Sequence, residues 1–391
     1  MMISNTTCTG CGACSITCPV HCIKMELDRL GHIAPVIDRS KCIHCGQCRA
    51  ICPQNQIPQE HFPTACYAAW STCTEDYTFS ASGGAAAAFA RYQLKQGGTI
   101  FGCDYDEYAD LRHFQLHDEN DVHRMQSSKY SQSMAFDSFF KIKELLERQI
   151  SVVFIGTPCQ VAGLLRFLKK DYPFLITIDL VCHGAPPDAY LKEYLSELGL
   201  TPPYQRIRFR GEFDQMLTVW KDDSIVYQKS QAKDDYFSAF YQNVISCDSC
   251  FSCQYAQPKR VSDITIGDFW GLGELNEIKA LSDRPSLILL NTEKGHTFFD
   301  RAKCNLIFEQ RSVAEGICGN GRLNAPPGKN YKATSYQFLY RSHILGFQKS
   351  VKATFLLSKV IDFFGRLRAQ ALEYKAALHK KISKIKGGGD L

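Results

Sequence analysis

The chain has 391 residues and an ordinary hydrophobic share of 45%, enough for two or three domains with sizeable cores. Its 19 cysteines are too many for inert packing in a chain of this length. Net charge is +5 but uneven: residues 341–391 hold 11 Lys or Arg against 3 acids, which leaves the rest near −3 and excludes a nucleic-acid binder with its basic footprint on the body.

The N-terminal MMISNTTCTG lacks a charged stretch followed by an apolar one, so no signal peptide is expected. Nowhere do 18 uncharged apolar residues run together, so no membrane span is expected either. A reducing cytoplasm, where cysteines serve as ligands rather than disulfides, fits both observations.

Residues 8–53 carry the strongest pattern. CTGCGACSITCP supplies Cys8, Cys11, Cys14 and Cys18; CIHCGQCRAICP, offset by 34 residues, supplies Cys42, Cys45, Cys48 and Cys52. Each copy is C-x2-C-x2-C-x3-C-P, the spacing that ligates [4Fe-4S] clusters, with the fourth cysteine of each run serving the other cluster. Cys8, Cys11, Cys14 and Cys52 are therefore expected at one cluster, and Cys42, Cys45, Cys48 and Cys18 at the second. A four-cysteine zinc site is the bland alternative, but it needs neither the crossed cysteine nor the prolines. Cys22 is left over and reads as a small buried residue. The stretch between the runs, residues 23–38, reads as two short strands about a turn at Gly31. This ferredoxin-like module is expected over residues 1–58, with a Pro- and Gln-rich linker at 53–63.

A larger domain is expected over residues 64–330. SASGGAAAAFARYQLKQ, residues 80–96, reads as a helix with Ser82 as N-cap and Gly83 and Gly84 permitting close approach. Such a start suits an anion or tight packing equally. Strands follow at TIFGCDYD and at residues 111–117. The polar SSKYSQS, with Ser128, Lys129, Tyr130 and Ser133, fits a phosphate cradle or a solvated loop. Residues 137–148 form an amphipathic helix.

Two strand-to-helix units come next. In SVVFIGTPCQVAGLLRFLKK a strand ends at Gly156, Thr157 and Pro158, and Cys159 opens a helix, where a lowered pKa would favour the thiolate. In FLITIDLVC a second strand ends at Cys182, followed by His183 and a helix over residues 188–198. If the strands are neighbours, both cysteines meet in one crevice, where α/β sheets bind ligands. Residues 206–229 read as an antiparallel meander. Cys247, Cys250 and Cys253 then form a set of three that Cys159 or Cys182 completes, as a redox centre or a zinc site. A strand in VSDITIGDFWG runs into an acidic loop with Asp268, and LILLN is a buried strand. Cys66, Cys73, Cys103, Cys304 and Cys318 have no partners at ligand spacing, and the last three read as core. GNGRLNAPPGKN, residues 319–330, reads as a closing loop. Residues 331–391 form a basic amphipathic tail. Its apolar set includes Leu345, Val351, Phe355, Leu356, Ile361, Phe363 and Leu367. It fits the inner face of an anionic membrane, or a docking face on its own body or on a second copy.

Residues 80–320 resemble the beta subunits of the coenzyme F-420 hydrogenase/dehydrogenase family. The resemblance rests on SGG at 82–84, SSKYSQS at 127–133, GTPCQVAGL at 156–164, DLVCHGAPP at 179–187, CFSC at 250–253 and SDITIGDFWG at 262–271. With its N-terminal module, the chain resembles the bacterial branch, some of whose members lie in polysaccharide gene clusters. The resemblance implies FAD beside a third [4Fe-4S] cluster held by Cys159, Cys182, Cys250 and Cys253. Cys247 is extra to that pattern and competes with Cys159. SGG and SSKYSQS would approach the flavin, with Thr157 and Asp268 nearby and Lys129 and His183 placed for chemistry. The expected fold is thus α+β or α/β: a two-cluster ferredoxin-like domain, a mixed-sheet flavin and iron–sulfur domain, and a helical tail. The implied function is an oxidoreductase joining ferredoxin or a similar carrier to an organic substrate. The alternatives are an electron-transfer subunit without its own substrate site, or a protein that keeps clusters only for folding.

Overall fold

A computed structural model describes residues 7–28, 31–211, 215–273 and 284–356. The fold begins with the two cysteine runs. Each turns into a short helix, Ala13–Ile16 and Gln47–Ile51, capped by Gly12 and Gly46 in the left-handed conformation (φ 71° and 74°). Only glycine adopts that conformation without a steric cost. Strands β1 (Ile23–Leu27) and β2 (Ile33–Ile37) pair antiparallel, Ile23 opposite Ile37, and close the module as expected. Ile23, Ile51, Cys14 and Cys18 form its small core.

The main body is an eight-stranded mixed sheet. Its strands are β3 (Ala65–Ser71), β4 (Thr99–Tyr105), β5 (Leu111–Leu116), β6 (Val152–Gly156), β7 (Leu175–Leu180), β11 (Ile264–Asp268), β12 (Ser286–Leu290) and β13 (Leu306–Arg311), in the order β13-β3-β12-β11-β7-β6-β4-β5. Four adjacent interior strands, β11, β7, β6 and β4, are parallel, and every other strand pairing in this sheet is antiparallel. Parallel strands need cover on both faces. Helix Ala85–Lys95 packs its alanines and Phe89 on one face, against Ile100, Val153, Ile178 and Ile264. Helices Phe139–Glu147 and Pro158–Leu168 cover Phe101, Val152 and Phe154 on the other. The expectation of a mixed α/β sheet holds.

A second core lies beside the sheet. Strands β8 (Arg206–Arg208), β9 (Met216–Lys221) and β10 (Ser224–Ser230) form the expected meander. They enclose Leu217 and Val219 with aromatic residues of helices Asp188–Glu197 and Asp235–Tyr241. Phe338 and Leu339 of helix Lys329–Leu345 and the following Phe347 and Val351 join this core. The proximal tail thus packs on the body, while Ile361, Phe363 and Leu367 fall outside the described residues.

Several readings of the sequence are corrected. Helix Ala85–Lys95 is capped by Gly84, not Ser82; the Ser82 hydroxyl instead meets that of Ser286 at 2.9 Å. Gly83 is required for close approach, because a Cβ there would lie 2.0 Å from the Ala69 carbonyl oxygen. Strands β3 and β13 and helices Glu293–Ala302 and Val313–Cys318 are additions to the elements expected from sequence. Cys304 and Cys318 are exposed rather than core.

Candidate functional site

The carboxyl ends of β6 and β7 are neighbours, with Gly156 in register with Asp179. Cys159 lies just beyond β6 and Cys182 just beyond β7. A loop around the turn Asp248–Ser252 brings Cys247, Cys250 and Cys253 to the same place. All five cysteines line one narrow cavity of about 60 Å³, together with Thr157, Gln160, His183, Arg260 and Arg322. The expected crevice therefore forms. One expectation fails: burial, with thiols at Cys182 and Cys253 close by, pushes Cys159 well above its ordinary pKa, although the Thr157 hydroxyl opposes this. Burial likewise pushes Cys182 up to about 11. Loading such a site must drive protons off several thiols.

Three contacts hold this wall. Thr157 caps helix Pro158–Leu168 reciprocally with Gln160, whose side-chain oxygen accepts from the Thr157 amide at 2.9 Å. The Gln160 amide also donates to the Ser133 carbonyl (2.9 Å) and hydroxyl (2.8 Å). Arg260 is fully buried and donates to the carbonyls of Tyr255 (2.9 Å), Gln257 (3.3 Å) and Leu180 (3.3 Å), so it ties the cysteine loop to β7.

A second cavity, of about 620 Å³, shares Ser131, Ser133, Thr157, Gln160, Cys182, His183 and Arg322 with the first. Of the residues expected at a cofactor, Ser82, Gly84, Ser128, Lys129, Tyr130, Ser133, Thr157 and Asp268 line it. Gly83 does not, being packed on β3. The Lys129 ammonium donates to the carbonyls of Arg124 (2.9 Å) and Gln126 (2.6 Å), and burial lowers its pKa. Tyr130 stacks on Phe240 at 4.0 Å, so SSKYSQS is a packed wall rather than a solvated loop. Asp268 is ion-paired to Arg210. His183 Nε2 faces the Tyr241 carbonyl at 3.2 Å, and burial lowers the pKa of its ring.

The lining also includes residues not expected from sequence, among them Cys103, His113, Gln126, Arg210 and Arg322. His113 Nε2 donates to the Ile155 carbonyl at 2.9 Å, which fixes the tautomer, and burial overrides that bond and pushes the pKa down to about 4. Its Nδ1, and the side-chain oxygen of Gln126, are buried without a hydrogen-bond partner among the described residues. Arg322 belongs to the stretch that reads as a closing loop, and nothing in its surrounding sequence marks a contact with both cavities.

In the N-terminal module, Cys8, Cys11, Cys14 and Cys52 line one small cavity with Thr9. Burial raises all four thiols, Cys14 to about 12. Of the other run, Cys45 is exposed and Cys42 and Cys48 are half-buried. Cys22 is buried as expected, but its sulfur stands 3.5 Å from that of Cys18, so it is a fifth thiol at this set rather than a remote packing residue. Among the described residues, no group of three or more His, Cys, Asp or Glu side chains is drawn together around a single metal-ion position.

The module and the larger domain meet at the cysteines. Thr9 lines both the module's cavity and that of the five-cysteine set. Gln132 bridges them: its amide donates to the Thr9 carbonyl at 2.9 Å, and the Cys247 thiol donates to its side-chain oxygen at 3.7 Å.

Residues 7–56 match the family described as 4Fe-4S dicluster domain. Residues 150–315 match the C-terminal part of the beta subunit in the family described as Coenzyme F420 hydrogenase/dehydrogenase. Among solved structures, the chain is similar to one from a xenon-derivatised F420-reducing [NiFe] hydrogenase complex of Methanosarcina barkeri. The identity is 17% and the TM-score 0.46, over 76% of this chain and 95% of that one. No curated protein matches.

Proposed function

From a chain that carries a 4Fe-4S dicluster domain and the C-terminal domain of a beta subunit of the coenzyme F420 hydrogenase/dehydrogenase family, we propose an iron–sulfur flavoprotein oxidoreductase. It would join a one-electron carrier protein to an organic substrate. The observation that carries this reading is the shared wall: the five-cysteine cavity and the 620 Å³ cavity have Cys182, His183 and Arg322 in common.

Under this reading Cys8, Cys11, Cys14 and Cys52 hold one cluster, and Cys18, Cys42, Cys45 and Cys48 the second. Cys159, Cys182, Cys250 and Cys253 hold a third, with Cys247 at its side toward Cys8. Thiolate donors in sets of this size suit iron–sulfur clusters. FAD is assigned to the larger cavity. Its volume lies in the range of small-molecule sites. The unpartnered His113 Nδ1 and Gln126 oxygen supply polar contacts that a heteroaromatic ring can answer. When bound, a flavin supplies the exchange between one- and two-electron chemistry. Lys129 and Arg322 offer positive charge to a phosphate or a reduced ring. Arg210 is already neutralised by Asp268. Neutral His183 has a ring nitrogen at the boundary of the two cavities, where it can hold or move a proton.

Anaerobic purification followed by iron, sulfide and flavin assay tests the proposal. About twelve iron atoms and one FAD per chain are expected. About eight iron with one zinc would remove the third cluster. Full iron with no flavin, even after reconstitution, would favour a second reading. There the chain is an electron-transfer subunit whose partner holds the substrate site, a role consistent with the words "beta subunit" in the family description.

A further inference from the structure

The two cysteine runs are copies, yet the fold treats them oppositely. A Cβ on Gly12 would lie 2.1 Å from the Phe136 ring, whereas one on Gly46, its counterpart, would meet nothing within 4 Å. Cys11 packs against helix Pro158–Leu168, where a Cβ on Gly163 would lie 2.8 Å from its own Cβ; its counterpart Cys45 is exposed. The start of the first run is sealed against the larger domain, and the start of the second, through Gly46, opens to solvent. The second run's end, Ala50 and Pro53, accepts hydrogen bonds from Arg166 and Gln254 of the larger domain.

The open run has a distinct surface. Arg39, Lys41 and Arg49 lie within or just before it in sequence and are all exposed, and Ile43, next to Cys42, is 60% exposed. The one acid in residues 38–50 is Asp38, which lies 3.4 Å from Lys41 and accepts from Ser40. Arg39 and Arg49 therefore leave a local positive excess, on a chain whose charge outside residues 341–391 is near −3. An exposed apolar side chain among exposed cations suits a small transient interface, in which charge sets the encounter rate and little area is buried.

We propose that Arg39, Lys41, Ile43 and Arg49 form the docking face for an acidic one-electron carrier protein. The proposal rests on the reading that the second run holds a cluster, and needs neither the flavin nor the substrate. One electron leaves the carrier's reduced centre and enters the cluster at this run. The carrier is oxidised, the cluster is reduced, and no bond forms or breaks. The first run is the less accessible entry point, because Phe136 packs on Gly12 and Gly163 on Cys11, and it has no exposed cysteine to match Cys45.

The test compares the parent with Arg39→Glu/Arg49→Glu in the full, cluster-loaded chain. The probe is a small acidic two-cluster ferredoxin, reduced beforehand and mixed anaerobically in a stopped-flow instrument; its binding is measured separately by calorimetry. Expected are an association rate lower by tenfold or more at low salt, a gap that closes as salt is raised, and weaker binding. Iron content and bleaching by dithionite should match the parent, and Arg39→Lys/Arg49→Lys should restore the rate. Parent-like reduction of the double Glu variant by ferredoxin overturns the proposal, as does failure of the parent to bind ferredoxin at low salt. Iron assay reveals separately whether the second run is loaded. If it is not, the underlying cluster reading fails and the docking proposal fails with it. Retained iron with parent-like kinetics sinks the docking face alone.

Discussion

Arg260→Met should be among the most damaging single changes in the larger domain. Arg260 and Asp179 are almost wholly buried, with Nη2 3.0 Å from a carboxylate oxygen. Arg260 is the charged partner of Asp179, and the Thr265 and Ser262 hydroxyls lie beside the carboxylate and favour its ionised form too, so the pair is held chiefly by charge. Burial already pushes the Asp179 carboxyl up, and the guanidinium is the main group opposing that shift. Methionine keeps most of the volume but leaves the carboxylate unpaired, at a cost of about 3–5 kcal/mol. At roughly 2 °C per kcal/mol for a domain of this size, melting should fall by about 6–10 °C. The sign with pH follows from the raised pKa. The folded state holds the proton more tightly than the unfolded one, so stability is lost as pH rises from about 4 through the folded pKa. The variant's deficit should therefore shrink in acid and grow toward neutrality. Asp179→Leu/Arg260→Met should recover more than half of the loss, since it removes both charges. Anaerobic thermal unfolding at several pH values, with iron assay, measures all of this. A deficit under about 1 kcal/mol, or a double variant as unstable as the single, would refute the account of the pair. Because Arg260 also ties down the Tyr255 and Gln257 carbonyls, iron at the five-cysteine set should be lost before iron in the module.

Gly12→Ala and Gly46→Ala share the left-handed strain of about 1–2 kcal/mol, but only the first drives a methyl into Phe136, so it should lose about 1–3 kcal/mol more. Equal melting temperatures for the two variants would contradict the sealed-and-open contrast. Lys129→Ala should weaken flavin retention, read as faster release of flavin fluorescence on dilution, with iron unchanged; parent-like retention would make Lys129 only a tie to the Arg124 and Gln126 carbonyls. Truncation after residue 343 removes the wholly buried Phe347 and Val351, at about 1.5–3 kcal/mol each, and should lower the melting temperature, whereas truncation after 356 keeps both. Flotation of the 356 truncation against full-length protein on anionic vesicles is therefore the clean membrane assay, and identical flotation would end the membrane role of the tail.

What the sequence made legible follows where one residue type has few uses. Eight cysteines at ligand spacing left little room for another reading, and the apolar runs 152–156 and 175–180 each ended at a cysteine. Strand β3 is illegible because ACYAAWS has no alternation: it lies between β12 and β13, buried almost throughout, so the period-two signal of a half-buried strand is absent. Ser82 reads as a cap because capping preference is local. What decides the helix start is the Ala69 carbonyl, which belongs to a strand more than a turn away in sequence. Likewise, the helix-terminus argument for Cys159 weighs one local effect and leaves out burial, which only the assembled fold supplies.

The asymmetry of the two runs lies beyond any local reading. Gly12 and Gly46 have the same motif, the same φ region and the same capping role. Their difference is made far away in sequence: Phe136 packs on Gly12 and Gly163 on Cys11, whereas nothing packs around Gly46, and the larger domain reaches the second copy only further along, at Ala50 and Pro53. That choice gives the chain its direction. Thr9 joins the sealed run to the five-cysteine cavity, and Cys182 joins that cavity to the larger one. An exposed cysteine run, a sealed one, a five-cysteine cavity and a ligand-sized cavity therefore lie in series. In such a chain of sites, an insertion that lifts the module off Phe136 should cut communication between its ends without altering either end. Uncoupling with both ends intact is what distinguishes a wire from clusters kept only for folding.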